Sequence, residues 1–213
     1  MVIDVWSDLV CPWCYIGKTR LEKALAGRQD VSVRWRAFEL QPGMPEEGVE
    51  ARPFYEKKFG GAERVQQIFD RVTGVAREDG LNLRYDLVQR APNTRLAHRA
   101  AKLGGAGAVG ALFRAHFEEG LNIADRDTIL DVLARAGLDA ADIGRRLDAG
   151  EGLEEVLHDE EAAGQLGVSG VPFFVVEGKL GMSGAQPVET FSDFLAEAQR
   201  AASSPDAQES VPG

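Results

Sequence analysis

The segment DLVCPWCYIG sets Cys11 and Cys14 on either side of Pro12 and Trp13, and these are the two cysteines of a 213-residue chain. Two thiols at this spacing can hold a metal, sit inertly in a core, or exchange electrons as a dithiol–disulfide pair. A zinc site needs two further ligands. No third cysteine exists, and His98, His116 and His158 are scattered without ligand spacing. Free cysteine is often buried as a small hydrophobe, but burial explains neither the spacing nor the proline between the thiols. The pattern favours redox chemistry.

That chemistry depends on the elements around the pair. VIDVW (2–6) alternates and is rich in β-branched residues, which predicts a strand. SDLV follows as a short loop. Pro12 suits the first turn of a helix, where its missing N–H has no intrahelical partner to lose. Ile16, Leu21, Ala24 and Leu25 give that helix a core-facing stripe that ends near Gly27. A helix N-terminus carries unsatisfied N–H donors and about half a positive charge, so a thiolate at Cys11 is stabilised there. Cys14 sits one turn inside the helix, more buried but within reach of a mixed disulfide on Cys11. Cys11 is therefore expected to attack and Cys14 to resolve.

Neighbouring residues carry weaker signals. Asp8 could shuttle a proton from Cys14, but a loop carboxylate that satisfies local amides is the favoured reading. Trp13 is expected to be exposed beside the reactive thiol and to contact substrate. Asn93, Arg95 and His98 in PNTRLAH fall near one helix face and are candidates to line the cleft over the cysteines. For Asn93 a helix N-cap role is sufficient by itself. His116, among Leu112, Phe113 and Phe117, reads as a core histidine.

VSVRWRAF (31–38) alternates and predicts a second strand, parallel to the first by the handedness of strand–helix–strand crossovers. ELQPGMPEEG is a linker. From about 53 to 166 only helical periodicity is visible, with runs around Val65–Ala76, Leu96–Leu103, Leu112–Phe117, Ile129–Ala136 and Leu153–Leu157. A compact apolar strand returns at 172–176, turns at Glu177-Gly178, and is followed by a hairpin partner and a helix opened by Pro187. Neither end can close a core alone. The fold class predicted is α/β, with one sheet built from both ends and a helical block inserted between them. The division is 1–42, an inserted helical subdomain at 43–166, and 167–202. The tail at 203–213 lacks periodicity and is expected to be disordered.

Hydrophobic residues make up 44% and charged residues 27%, ordinary for a globular protein. A net charge of −10 without a basic cluster argues against a nucleic-acid partner. No apolar run is long enough to span a bilayer, and the N-terminus lacks a basic n-region and a long apolar h-region. A cytoplasmic location without membrane association is expected, where a structural disulfide would be out of place.

Taken together, CPWC opening a helix and a late GVP before a ββα unit resemble the thioredoxin fold, and the inserted helices resemble its DsbA-like branch. Within that branch, SDLVCPWCYIG, RAFELQP, PNTRLAHRAA, GVSGVPFFVVEGK and SGAQP are similar to the FrnE-type oxidoreductases, over about residues 2–198. The resemblance implies Cys11 as nucleophile and Cys14 as resolving thiol. It implies Pro172 as a cis-proline facing them, with the Val171 main chain pairing with an extended substrate. Without it, Pro172 is simply a proline opening a strand. The chain departs from secreted DsbA in lacking a His between the cysteines. A sister branch, the kappa-class glutathione transferases and hydroxychromene-carboxylate isomerases, generally has Ser in place of Cys11. The intact pair argues against that role, while Gln186 in SGAQP, before a helix N-terminus, keeps a glutathione carboxylate site open. A peptide-binding chaperone without redox turnover is the alternative from another class. The expectation is thus a thiol–disulfide oxidoreductase with no bound metal or prosthetic group. Its active group is a redox-active Cys11–Cys14 disulfide, and glutathione is allowed as cosubstrate. Partners expected are substrate proteins or small-molecule disulfides, and a homodimer is compatible with the sequence.

Overall fold

The alternating N-terminal segment forms β1 (Val2–Ser7), and the Pro12-led stripe forms α1 (Pro12–Ala24). The computed structural model is described over residues 1–203. β2 (Ser32–Ala37) runs parallel to β1, pairing Val5 with Trp35. From the other end of the chain, β5 (Phe173–Val176) pairs antiparallel with β1, setting Val5 opposite Phe174, and β6 (Leu180–Ser183) closes a hairpin on β5. The sheet order is β2-β1-β5-β6. β1 is therefore central, with partners drawn from opposite ends of the sequence. The last helix, α8 (Val188–Ser203), packs beside α1. Its first backbone bond runs from the Phe191 N–H to the Pro187 carbonyl.

Both faces of the sheet are covered. On one, Ile3, Val5 and Phe174 pack with Leu21, Phe191, Leu195 and Ala198 of the two flanking helices. On the other, Trp6 and Val175 meet Ala163 and Val168. Each large side chain so buried contributes about 1.5–3 kcal/mol. Asp4, on the second face of β1, is buried yet charged. Burial opposes its ionisation, but hydrogen bonds from Arg34 and Arg36 outweigh that and hold the carboxyl below the usual carboxylate range.

Between β2 and β5 lie α2 (Ala51–Phe59), α3 (Ala62–Glu78), α4 (Arg95–Phe117), α5 (Arg126–Arg135), α6 (Ala140–Asp148) and α7 (Leu153–Gln165). They are not wholly helical territory. β3 (Val49–Glu50) and β4 (Arg90–Ala91) form a two-residue antiparallel ladder, too short to give any periodic signal. α6 buries a short stripe of Ile143, Gly144 and Leu147, a run outside the periodic segments read from the sequence. α4 is one segment broken at Gly105, whose φ of 67° and ψ of −157° are open to glycine and to few other residues. The two apolar runs around it are thus two helical arms. Thr94, not Asn93, is the residue preceding α4, although Asn93 Oδ1 does accept the Arg95 N–H at 2.9 Å. Asp125 and Asp139 cap α5 and α6 by accepting the N–H of Thr128 and Asp142.

The helical block shares the largest core cluster with α1. Tyr15 stacks on Phe113, with ring centroids 5.2 Å apart, and donates to Glu118 at 2.9 Å. The sequence-based tail beginning at 203 lies outside the described residues, apart from Ser203 itself, which ends α8. Among the described residues, no helix is long and apolar enough to cross a membrane.

Candidate active site

Cys11 is the residue that precedes α1, in extended backbone conformation, with Pro12 in the first turn. Its carbonyl accepts the N–H of Cys14 at 3.0 Å and of Tyr15 at 3.3 Å, so the first helical turn closes around the pair. Both cysteines are free thiols. Cys11 is 5% exposed and Cys14 is 1% exposed. Burial pushes the Cys14 thiol well up, and the hydrogen bond and charge of Cys11 push the same way; the Asp8 amide and the Ser7 hydroxyl pull against them. Cys14 is thereby held as a thiol, while Cys11 sits at the end of the helix where N–H donors converge.

The loop before β5 completes the front of the pair. The Val171-Pro172 peptide bond is cis, and the Cys11 thiol donates to the Val171 carbonyl at 3.7 Å. Gly17, one turn beyond Cys14, allows this approach: a Cβ there would stand 3.1 Å from Cγ of Pro172 and 3.3 Å from the Phe174 ring. Trp13 is half-buried against the helical core rather than exposed, because the inserted block covers part of the α1 N-terminus.

Asp8 is fully buried. One carboxylate oxygen accepts the Leu40 N–H at 2.7 Å, and the other lies 3.5 Å from the Val10 nitrogen and 3.4 Å from Nε2 of His98. The contact with His98 has no hydrogen-bond alignment. Of the PNTRLAH trio only His98 reaches the cysteine loop. Asn93 donates to the Met44 carbonyl at 2.7 Å, and Arg95 holds Glu39 through two bonds of 2.8 and 3.0 Å. Gln186 donates to the Ser183 carbonyl at 2.9 Å, closing its own turn. His116 is buried in the core, 4.7 Å from the Phe117 ring centroid, and burial holds its imidazole down at about 4.

Three residues near the pair gave no sequence signal. Ser7 ends β1 and lies buried beside Cys14. Tyr55 of α2 and Tyr85 line a cleft of about 880 Å³ on the helical side, along with Phe69, on which Tyr85 stacks at 3.9 Å. Burial raises the Tyr55 phenol to about 12, with a further push from the charge of Asp8; burial, Tyr55 and Cys11 together raise Tyr85. The cleft thus comes close to the cysteine loop. Lone tyrosines, one in α2 and one in the turn before β4, carry no motif, so only the tertiary packing exposes them as neighbours of the site.

Residues 2–196 match the DSBA-like thioredoxin domain family. The chain is 27% identical over 205 residues to YwbO of Bacillus subtilis (strain 168), covering 93% of this chain and 97% of that one. The crystal structure of a "probable DsbA oxidoreductase" from Streptomyces coelicolor is similar with a TM-score of 0.83 at 35% identity, covering 100% of this chain and 92% of that one. The cytosolic disulfide reductase DsbM of Pseudomonas aeruginosa shares the fold, with a TM-score of 0.68 at 20% identity over 94% of this chain and 100% of that one. With a strand–CPWC–helix unit, a sheet closed by the C-terminal hairpin and helices inserted between, this chain belongs to the DSBA-like thioredoxin domain family.

Proposed function

We propose that the protein is a thiol–disulfide oxidoreductase in which Cys11 attacks and Cys14 resolves. The observation that carries this reading is the placement of Cys11 at the N-terminus of α1, with Cys14 one turn behind it and the Val171 carbonyl 3.7 Å in front. Cys11 stands where the N–H donors of α1 converge, while burial keeps Cys14 protonated until it is needed. In the first step the Cys11 thiolate attacks a substrate disulfide, forming a mixed disulfide and releasing one substrate thiolate. In the second, the Cys14 sulfur attacks Sγ of Cys11, gives up its proton, and releases the other substrate thiolate. The substrate disulfide is reduced and the pair is oxidised; an external thiol such as glutathione reverses the pair's oxidation. The direction of net flow in the cell follows from the potential of the pair against that pool.

Trp13, Val171 and Pro172 stand around the attacking Cys11, and the Val171 main chain is the edge against which an extended substrate would align. Partners on this reading are disulfide-bearing proteins or small disulfides, with no bound metal or prosthetic group, in a cytoplasmic setting. Within the family, SDLVCPWCYIG and GVSGVPFFVVEGK support assignment to the FrnE-type branch.

The test is turnover of a small disulfide by the intact chain with excess glutathione. Cys11→Ser is expected to abolish turnover. Cys14→Ser is expected to accumulate a covalent adduct on Cys11, visible as the mass of one substrate half. Full turnover in Cys11→Ser would refute the proposal, as would an adduct on Cys14 in the wild type.

A further inference from the structure

The resolving step requires the buried Cys14 thiol to lose a proton, and Cys14 is 1% exposed. Two buried polar atoms in this region have no hydrogen-bond partner: the hydroxyl of Ser7 and Nε2 of His98. Ser7 is 4% exposed and His98 is 5% exposed. A buried polar group without a partner is destabilising, so two together call for a reason. Both residues line one small, partly open cavity of about 20 Å³ beside β1, β2 and α4, together with Leu9, Val109, Arg36 and Lys102. About 10–15 Å³ is enough for one water, and such a water needs at least two polar partners. Ser7 supplies one and His98 the other.

Ser7 also belongs to the surroundings of Cys14. Its hydroxyl lies close enough to favour the Cys14 thiolate, without making a bond of standard geometry to the thiol. On the far side, Nε2 of His98 lies 3.4 Å from the Asp8 carboxylate. The charged groups around His98 are Asp8 from the β1–α1 loop, Arg36 from β2, Lys102 from its own helix, and Glu160 from α7.

We propose that Ser7, a water held in this cavity and His98 form a relay that takes the proton of Cys14 during the resolving step. The inference rests on the reading of Cys11 and Cys14 given above. As the Cys14 sulfur bonds to Sγ of Cys11 and the Cys11–substrate bond breaks, the Cys14 proton passes to the Ser7 oxygen. The Ser7 proton moves to the water, and a water proton moves to Nε2 of His98. The departing substrate thiolate carries the electron pair of the broken bond. In the reverse direction the same proton returns to Cys14. Asp8, with one oxygen already bound to the Leu40 amide, is the positioning carboxylate for the imidazolium and takes no proton itself.

Stopped-flow kinetics with a symmetrical aromatic disulfide, whose released thiolate is coloured, separate the two steps. The first burst reports attack by Cys11 and the second reports resolution by Cys14. In Ser7→Ala and in His98→Gln the first burst is expected to keep its rate, while the second slows about tenfold or more near neutral pH. The slowed phase should follow hydroxide, rising about tenfold per pH unit, where the wild type changes less. The double variant should be no slower than the slower single one, because the two residues serve one path. Ser7→Thr, which keeps the hydroxyl, should restore the second burst. Unchanged second bursts, additive losses, or parallel loss of both bursts would overturn the relay. If His98→Gln does not fold, the pH profiles of Ser7→Ala and Ser7→Thr decide the question. A wild-type protein that releases no coloured thiolate would overturn the reading of the cysteine pair itself, and the relay with it.

Discussion

Cys11 and Cys14 are three residues apart in sequence and nearly equal in exposure, yet they occupy different electrostatic surroundings. Cys11 faces the open end of α1, whereas Cys14 is enclosed, and burial raises its thiol. The same desolvation acts on His116, shifting it in the opposite direction but again favouring the neutral form. Its imidazole titrates at about 4 in the fold, against an ordinary value of 6.5. The folded pKa is depressed, so between pH 6.5 and 4 the unfolded chain binds more protons than the folded one. Stability from this group is fully present above pH 6.5 and is lost as pH falls toward 4. The loss amounts to about 3 kcal/mol over that window. Urea titrations at several pH values should show this decline. In His116→Leu the decline should be shallower by that amount, and an equally steep decline in the variant would show that another group is responsible.

At the level of elements, α4 is the part whose shape matters most to the site. It carries His98 in its first arm and Leu112, Phe113 and Phe117 in its second, and the second arm packs on Tyr15 of α1. Gly105 lets the two arms meet at an angle. A Cβ at Gly105 would touch nothing within 4 Å, so a side chain there is opposed by the backbone alone. Gly105→Ala is therefore expected to destabilise the protein by about 1–3 kcal/mol. Gly107→Ala, in the same helix with helical backbone, serves as the control and should be close to neutral, because its Cβ would meet only Leu138 at 3.7 Å. Equal thermal shifts for the two variants would mean that the bend at Gly105 is not enforced by its backbone conformation.

Across the whole molecule, the helical block and the sheet are joined by a buried charge cluster centred on Asp159. Its carboxylate accepts the Ala37 N–H at 2.8 Å and Arg36 at 3.0 Å, and it pairs with Lys102 of α4. Its backbone carbonyl accepts the Trp6 indole N–H at 2.9 Å. One residue of α7 thus ties together β1, β2 and α4. Removing it leaves Arg36 and Lys102 short of a partner at the block–sheet junction. Asp159→Ala is expected to cost roughly 3–5 kcal/mol in chemical denaturation. Arg52→Ala breaks a pair whose arginine side chain is 85% exposed and should shift stability by about half a kcal/mol or less. A small effect of Asp159→Ala would show that the junction is held by apolar packing alone.

The cysteine spacing, the proline in the first helical turn and the two alternating strands are local features, and periodicity with elementary helix chemistry made them legible. So was the α/β class, because neither the βαβ nor the ββα end has enough apolar surface to close a core without the other. The details that depend on packing were not legible. The β3–β4 ladder is two residues long and leaves no periodic trace, whereas the short Ile143–Leu147 stripe of α6 is present in the sequence but lies outside the periodic runs read there. Trp13 reads as exposed until the helical block is seen to cover it. Asn93 and Arg95 read as sharing a helix face with His98, but Asn93 lies before α4, and a bond to Met44 and a pair with Glu39 engage the two elsewhere. Ser7, Tyr55 and Tyr85 acquire meaning only from what lies across from them. The sequence by itself determined which thiols could react and which strand and helix present them. The tertiary structure decided what surrounds those thiols, because burial and proximity arise from contacts between segments far apart in the chain.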